Sequence, residues 1–182
     1  MLADTLGFLE CLFSRCQLVA DASITLTAIH PDRGRPTPSR HIPLDHRQKL
    51  CEAIRDIQRA NQMGWGAYVT VGLRRPGLTR WQRGGLSDML ALSALFVDVD
   101  DPSEVMRQRL RSFAPAPSIL VYSGGGYHAY WLLDEPTADL PTAGRLLDGL
   151  ATQLGGDRLS PATSLRLPGT RNTKPERVGM TC

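Results

Sequence analysis

The chain has 182 residues, 42% apolar and 21% charged, with a formal net charge of +3; that suffices for one domain with a hydrophobic core and is ordinary for a soluble globular protein. No apolar run approaches the ~20 residues of a membrane span, and the N-terminus lacks the basic and continuously apolar regions of a signal peptide. Cys11, Cys16, Cys51 and Cys182 form no C-x2-C pair and complete no zinc pattern with His30, His41 or His46, which argues against a structural zinc knuckle and fits a reducing cytoplasm.

In chain order, Leu6, Leu9, Phe13 and Cys16 recur at helical spacing and predict an amphipathic helix over 2–18. The β-branched, alternating stretch 23–29 predicts a strand. Four prolines within 31–44 predict a long, mobile loop. Asp45 is the expected cap of a helix reaching Asn61, with Leu50, Ala53, Ile54 and Ile57 on its apolar stripe. Residues 66–73 read as a strand and 74–87 as a Gly- and Arg-rich loop around Trp81. A strand over 93–99 ends in Asp98-Val-Asp100-Asp101; Asp101 is then the expected helix cap, with Pro102 at the first helical position and Glu104 at the third. Strands at 118–122 and 128–133 flank Ser-Gly-Gly-Gly-Tyr as a hairpin, a helix over 141–154 stops at Gly155-Gly156, and a short extended piece spans 164–167.

This order predicts an α+β fold: an RRM-like (ferredoxin-like) antiparallel sheet over 66–182, packed with an N-terminal α/β lobe over 1–65, in a single domain. The polar, turn-rich end suggests the N-terminal part of a longer protein.

Alternation along the strand puts Asp98 and Asp100 on one face. Two carboxylates so close repel unless a cation lies between them, and oxygen ligands suit Mg²⁺ or Mn²⁺. The motif D-x-D alone is weak, since sugar transferases and phosphohydrolases carry it too. In Ser123–Trp131 the glycines, Gly125 among them, let backbone N–H groups approach a phosphate; Ser123 and His128 could join them on a nucleoside triphosphate. Beyond a helix stop, Asp157 could supply a third carboxylate, and Arg166, Asn172 and Lys174 surround an L-P-G-T turn where cations could meet a triphosphate or a nucleic-acid backbone. Arg83, in the basic loop, is the best candidate there for a nucleic-acid contact. Arg171 and Arg177 read as a solvated basic tail.

Together, D-x-D, then S-G-G-G-x-H-x-Y-W, then an Asp before L-R-L-P-G-T-x-N-x-K resembles the archaeo-eukaryotic primase superfamily, in its primase-polymerase and plasmid or phage replication-primase branches. The resemblance covers about 66–175. It implies that Asp98, Asp100 and Asp157 hold two divalent ions, Mg²⁺ or Mn²⁺. It likewise implies that Ser123 and His128 contact the incoming triphosphate, and that Arg166 and Lys174 match the family's basic residues. Many relatives place an acid a few positions before R-L-P-G; here Ser160–Ser164 contains none, which leaves Asp157 as the nearest match. The implied partners are a single-stranded DNA template, NTPs or dNTPs, and a fused or associated helicase, with no membrane. The rivals are a catalytically silent RRM-like nucleic-acid-binding module, a metal-dependent nuclease using the same acids, and a sugar transferase.

Overall fold

Residues 2–32, 34–177 and 180–182 are described by a computed structural model of the chain. In order they form α1 (Leu2–Leu12), β1 (Ser23–Ile29), β2 (Ser39–Pro43), α2 (Arg47–Gln62), β3 (Gly66–Thr70), β4 (Gly72–Arg74), β5 (Met89–Val99), α3 (Glu104–Arg111), β6 (Ile119–Tyr122), β7 (Tyr127–Thr137), α4 (Leu140–Leu154) and β8 (Ser164–Arg166). These eight strands make one antiparallel sheet in the order β6-β7-β5-β4-β1-β3-β8, with β2 on β1. The expected α+β class and antiparallel sheet are present. β1, from the expected N-terminal lobe, is an interior strand of that same sheet.

The β5–β7 ladder is the spine. Asp98 faces His128 and Phe96 faces Tyr130 across it. One face presents Val97, Val99, Ala129 and Trp131, buried with Leu110 of α3 and Leu154 of α4. The other presents Phe96 and Tyr130, and α1 covers it there through an edge-on contact of Phe8 with Tyr130, ring centroids 5.5 Å apart. Two residues further along β5 the same face turns from aromatic to ionisable, at Asp98 and His128. A strand period of two thus places an ionisable pair at the end of an apolar stripe.

Several local expectations are corrected. The segment expected to be a mobile loop contains β2, which pairs with β1 from Ser23↔Pro43 to Thr27↔Ser39. Side-chain contacts cross that pair, Thr27 Oγ1 to Ser39 Oγ at 2.9 Å and Thr25 Oγ1 to His41 Nδ1 at 2.9 Å. Pro36 and Pro38 precede the strand and Pro43 ends it, so none interrupts the ladder. Helix α1 stops at Leu12, and α2 is capped at His46, not Asp45. Helix α3 is capped by Ser103, whose Oγ accepts from Met106 N at 3.1 Å. Asp101 instead accepts from Ser103 N at 2.9 Å, two residues before the cap, so Pro102 lies before the helix and Glu104 opens it. The strand expected over 66–73 is broken at Val71, whose carbonyl accepts from Ser93 Oγ at 2.6 Å. Arg74, expected in an exposed loop, is fully buried and donates to the carbonyls of Gly84, Gly85 and Ala162.

Candidate active site

The sheet curls so that side chains from distant strands line one small cavity of about 80 Å³: Asp98 and Asp100 at the end of β5, Ser123 and His128 around the β6–β7 turn, Tyr68 on β3, and Arg166 on β8. Lys174 and Arg177, from the segment after β8, complete its charged wall. A larger groove of about 880 Å³ between α1, β1 and the start of α2 is lined by Leu9, Phe13, Ile24 and Leu50 with the Glu10–Arg47 pair, and gathers none of these groups.

The turn is shaped by close approach. Gly126 lies so near β5 that a Cβ there would sit 2.0 Å from Val99 O and 2.9 Å from Asp100 Cα. Ser123 N donates to Gly126 O at 2.9 Å, closing the turn. Backbone cannot give way as a side-chain tip can. Gly126→Ala is therefore expected to cost about 2–3 kcal/mol, lowering the Tm by roughly 5–10 °C in thermal melts. Gly149, exposed on α4 with open space around its Cβ position, is the control: Gly149→Ala should stabilise by about 0.5–1 kcal/mol.

Electrostatics divide the acids. Asp98 is mostly buried, and its carboxyl is pushed up to about 6 by burial first, then by the charges of Asp100 and Asp157. Its Oδ1 has no hydrogen-bond partner among the described residues. His128 Nε2 lies 3.5 Å from it. Burial, and next the Arg166 charge, lower that imidazole to about 3, so at neutral pH the contact joins a neutral ring to a carboxylate and is not an ion pair. Asp100 is held below the usual carboxylate range chiefly by a hydrogen bond from Arg177 Nη1 at 2.9 Å.

The basic wall is similarly uneven. Arg166 is 5% exposed. It lies over the Tyr68 ring, 5.0 Å from the centroid, and donates Nη2 to the Tyr68 hydroxyl at 3.2 Å; its Nη1 is buried with no partner among the described residues. Asn172, expected to touch nucleic acid, is buried as an internal brace: Nδ2 donates to Ser123 O at 3.2 Å, while Oδ1 accepts from Lys174 N at 3.1 Å. It ties the glycine turn to the basic segment.

The structure thus brings together Asp98, Asp100, Ser123, His128, Arg166 and Lys174, with Gly125 on the turn. Asp157 is adjacent through its backbone, its N–H donating to Asp98 O at 2.9 Å, but its side chain is exposed and outside the cavity lining. Arg83 is exposed on the 74–87 loop and does not line the cavity. Sequence reasoning missed Tyr68 and Arg177. Tyr68 had one signal, an aromatic hydroxyl on an otherwise small and β-branched strand; Arg177 had none.

The donor set suits a hard divalent ion in part. Two carboxylates, one with an unpartnered buried oxygen, match an ion that takes one or two carboxylates and completes its shell with water and phosphate oxygens. Among the described residues no group of three His, Cys, Asp or Glu side chains is gathered as a metal cage. No described helix is long and apolar enough to cross a membrane.

No family model matches the sequence, and no curated protein matches it. Solved structures do. The AEP domain of the primase-polymerase of cyanophage S-2L superposes with a TM-score of 0.65 at 21% identity, covering 97% of this chain and 86% of that one. The catalytic domain of primase RepB′, in complex with initiator DNA, gives 0.65 at 16% identity, covering 97% and 80%. A longer RepB′ chain gives 0.62 at 18% identity, covering 93% and 51%. The fold is that of archaeo-eukaryotic primase catalytic domains.

Proposed function

We propose that this chain is a primase-polymerase catalytic domain, which joins nucleotides on a single-stranded DNA template to make or extend primers. One observation carries the reading. The same cavity holds a buried carboxylate oxygen and a buried guanidinium nitrogen, on Asp98 and Arg166, each without a partner and not paired with each other. Leaving either unsatisfied is costly in an apolar surround. A site with both has a use for a ligand that is cation and polyanion at once, which describes a metal–nucleoside triphosphate.

In the reaction a primer 3′-hydroxyl attacks the α-phosphorus and gives its proton to solvent water, the α-phosphorus bond to the bridging oxygen of the β-phosphate breaks, and pyrophosphate leaves. Mg²⁺ or Mn²⁺, as the two ions such sites use, would supply a lowered pKa at the 3′-hydroxyl and neutralise charge on the pyrophosphate. Asp98 and Asp100 would hold them, with Asp157 reaching the second only by turning its side chain inward. Arg166, pre-aimed by Tyr68, and Lys174 neutralise the triphosphate with charge-assisted bonds that strengthen as charge develops. Ser123 and the amides of the glycine turn bind phosphate oxygens. His128, neutral, offers one N–H donor without adding charge. The cavity admits phosphates but not a whole nucleotide, so the base and sugar lie outside it, open to a template strand. DNA as the nucleic acid bound is supported by a primase of this fold solved in complex with initiator DNA.

A silent RRM-like module would carry stacking aromatics on its sheet face. Here the face beyond Phe96 and Tyr130 carries an acid and a histidine instead.

The test is incubation with single-stranded DNA, labelled NTPs or dNTPs and Mg²⁺ or Mn²⁺, with and without primer, resolved on denaturing gels. Lengthening products support the proposal. DNA shortened without nucleotides points to a nuclease, and binding without any product to the silent module. Within an active enzyme, His128→Ala is expected to raise the nucleotide KM about tenfold or more, with DNA affinity by fluorescence anisotropy little changed. An unchanged KM with lost DNA affinity would reverse that role.

A further inference from the structure

Arg177 reads from sequence as part of a solvated tail, yet it is drawn into the cavity and only 22% of its side chain is exposed. It ends the one-turn 3-10 helix Pro175–Arg177, and its backbone N donates to Lys174 O at 2.9 Å. The segment is tied down on both sides: Asn172 N donates to Met180 O at 2.7 Å and Cys182 N to Thr170 O at 2.8 Å. From this strap the guanidinium reaches Asp100 Oδ1 at 2.9 Å. It rests against Gly125, where a Cβ would lie 2.3–2.5 Å from its Nη1, Cζ and Nε atoms. The glycine turn therefore provides the seat for the arginine as well as an approach for phosphates.

We propose that Arg177 competes with the divalent ion for Asp100 and exchanges onto the nucleotide's phosphates when metal and nucleotide enter. This rests on the proposed function above. A guanidinium bonded to a carboxylate oxygen satisfies the charge that a metal ion needs to find free. Once displaced from Asp100, it still lines the same cavity as Arg166 and Lys174 and has five donors for phosphate oxygens. Arg177 is thus a positioning residue before the ion binds and a phosphate ligand afterwards.

The test uses the whole chain and Mn²⁺ alone, titrated by electron paramagnetic resonance without nucleotide. Arg177→Gln is expected to bind Mn²⁺ roughly threefold to fivefold more tightly than wild type, the scale of a half-exposed ion pair, and then to show a raised nucleotide KM. Arg177→Lys, which keeps the charge, should stay near wild type in Mn²⁺ affinity. A bracing role predicts the opposite sign, because loosening the strap would weaken Mn²⁺ binding. Unchanged or weaker Mn²⁺ binding by Arg177→Gln, or tighter binding with an unchanged nucleotide KM, overturns the proposal. If Asp100→Asn leaves wild-type Mn²⁺ binding untouched, the metal reading of the site itself fails and this inference falls with it, a result distinct from a failure of Arg177 alone.

Discussion

Asp98→Asn is expected to lower metal-dependent nucleotide incorporation by about a thousandfold or more, and Asp100→Asn by a smaller but still large factor. Asparagine keeps the volume and the strand but removes the anionic oxygen a hard divalent ion requires, and charge stabilisation of this kind supplies much of the rate in phosphoryl transfer. The two acids differ because their surroundings do. Asp98 is mostly buried with an unpartnered Oδ1, so no neighbour can take its place. Asp100 is half-exposed and already shared with Arg177; water and phosphate oxygens can replace part of its contribution. Single-turnover extension of a labelled primer in Mg²⁺ and in Mn²⁺ measures both losses, with circular dichroism to show the fold retained. Full activity in either variant would strip that aspartate of its role. Removing metal with EDTA should have the same effect on the wild-type enzyme as Asp98→Asn.

The parts of this site that were legible in the sequence are those set by local period. Asp98 and Asp100 fall on one face because strand side chains alternate, and Ser123 and His128 flank a turn that glycines require. What was hidden depends on partners far along the chain. The Tyr68–Arg166 pair joins residues 98 apart, and the Arg177–Asp100 pair residues 77 apart; no spacing rule predicts either. Arg74 looked like a loop cation because charge normally marks exposure. It is buried because several backbone carbonyls converge on its guanidinium, a convergence that exists only once the sheet has closed. β2 was obscured by prolines that bracket the strand and do not interrupt it. Asn172 lines the cavity, as its spacing suggested, but its carboxamide bonds to backbone groups of the glycine turn and of Lys174, partners that no spacing rule predicts.

The burial that would ready Asp98 for a cation also makes its carboxylate costly in the metal-free fold, and Asp98→Asn should therefore stabilise the protein without metal. The carboxyl is raised to about 6 against an unfolded value of about 3.9, so between those values the native state holds more protons than the unfolded state, and stability falls as pH rises through the window. Above pH 6 the full cost is about 3 kcal/mol; with a quarter of the side chain exposed, solvent screening trims this to about 2–3 kcal/mol. His128 has the opposite sign. Its imidazole is lowered to about 3 from about 6.5, so the unfolded state takes the extra proton and stability falls as pH drops below 6.5, by about 1.4 kcal/mol per unit. In the wild-type protein the two slopes offset between roughly pH 4 and 6, and the stability curve there is nearly flat. In Asp98→Asn the histidine slope stands alone: the variant is more stable at pH 7–8, by roughly 5–10 °C in Tm, and its curve merges with wild type near pH 4. Urea melts in EDTA from pH 4 to 8 measure both curves, and added Mn²⁺ should raise only the wild-type curve. A variant less stable than wild type at pH 8 would mean that the carboxylate is paired in the native state, and the case for a cation site prepared by burial would be lost.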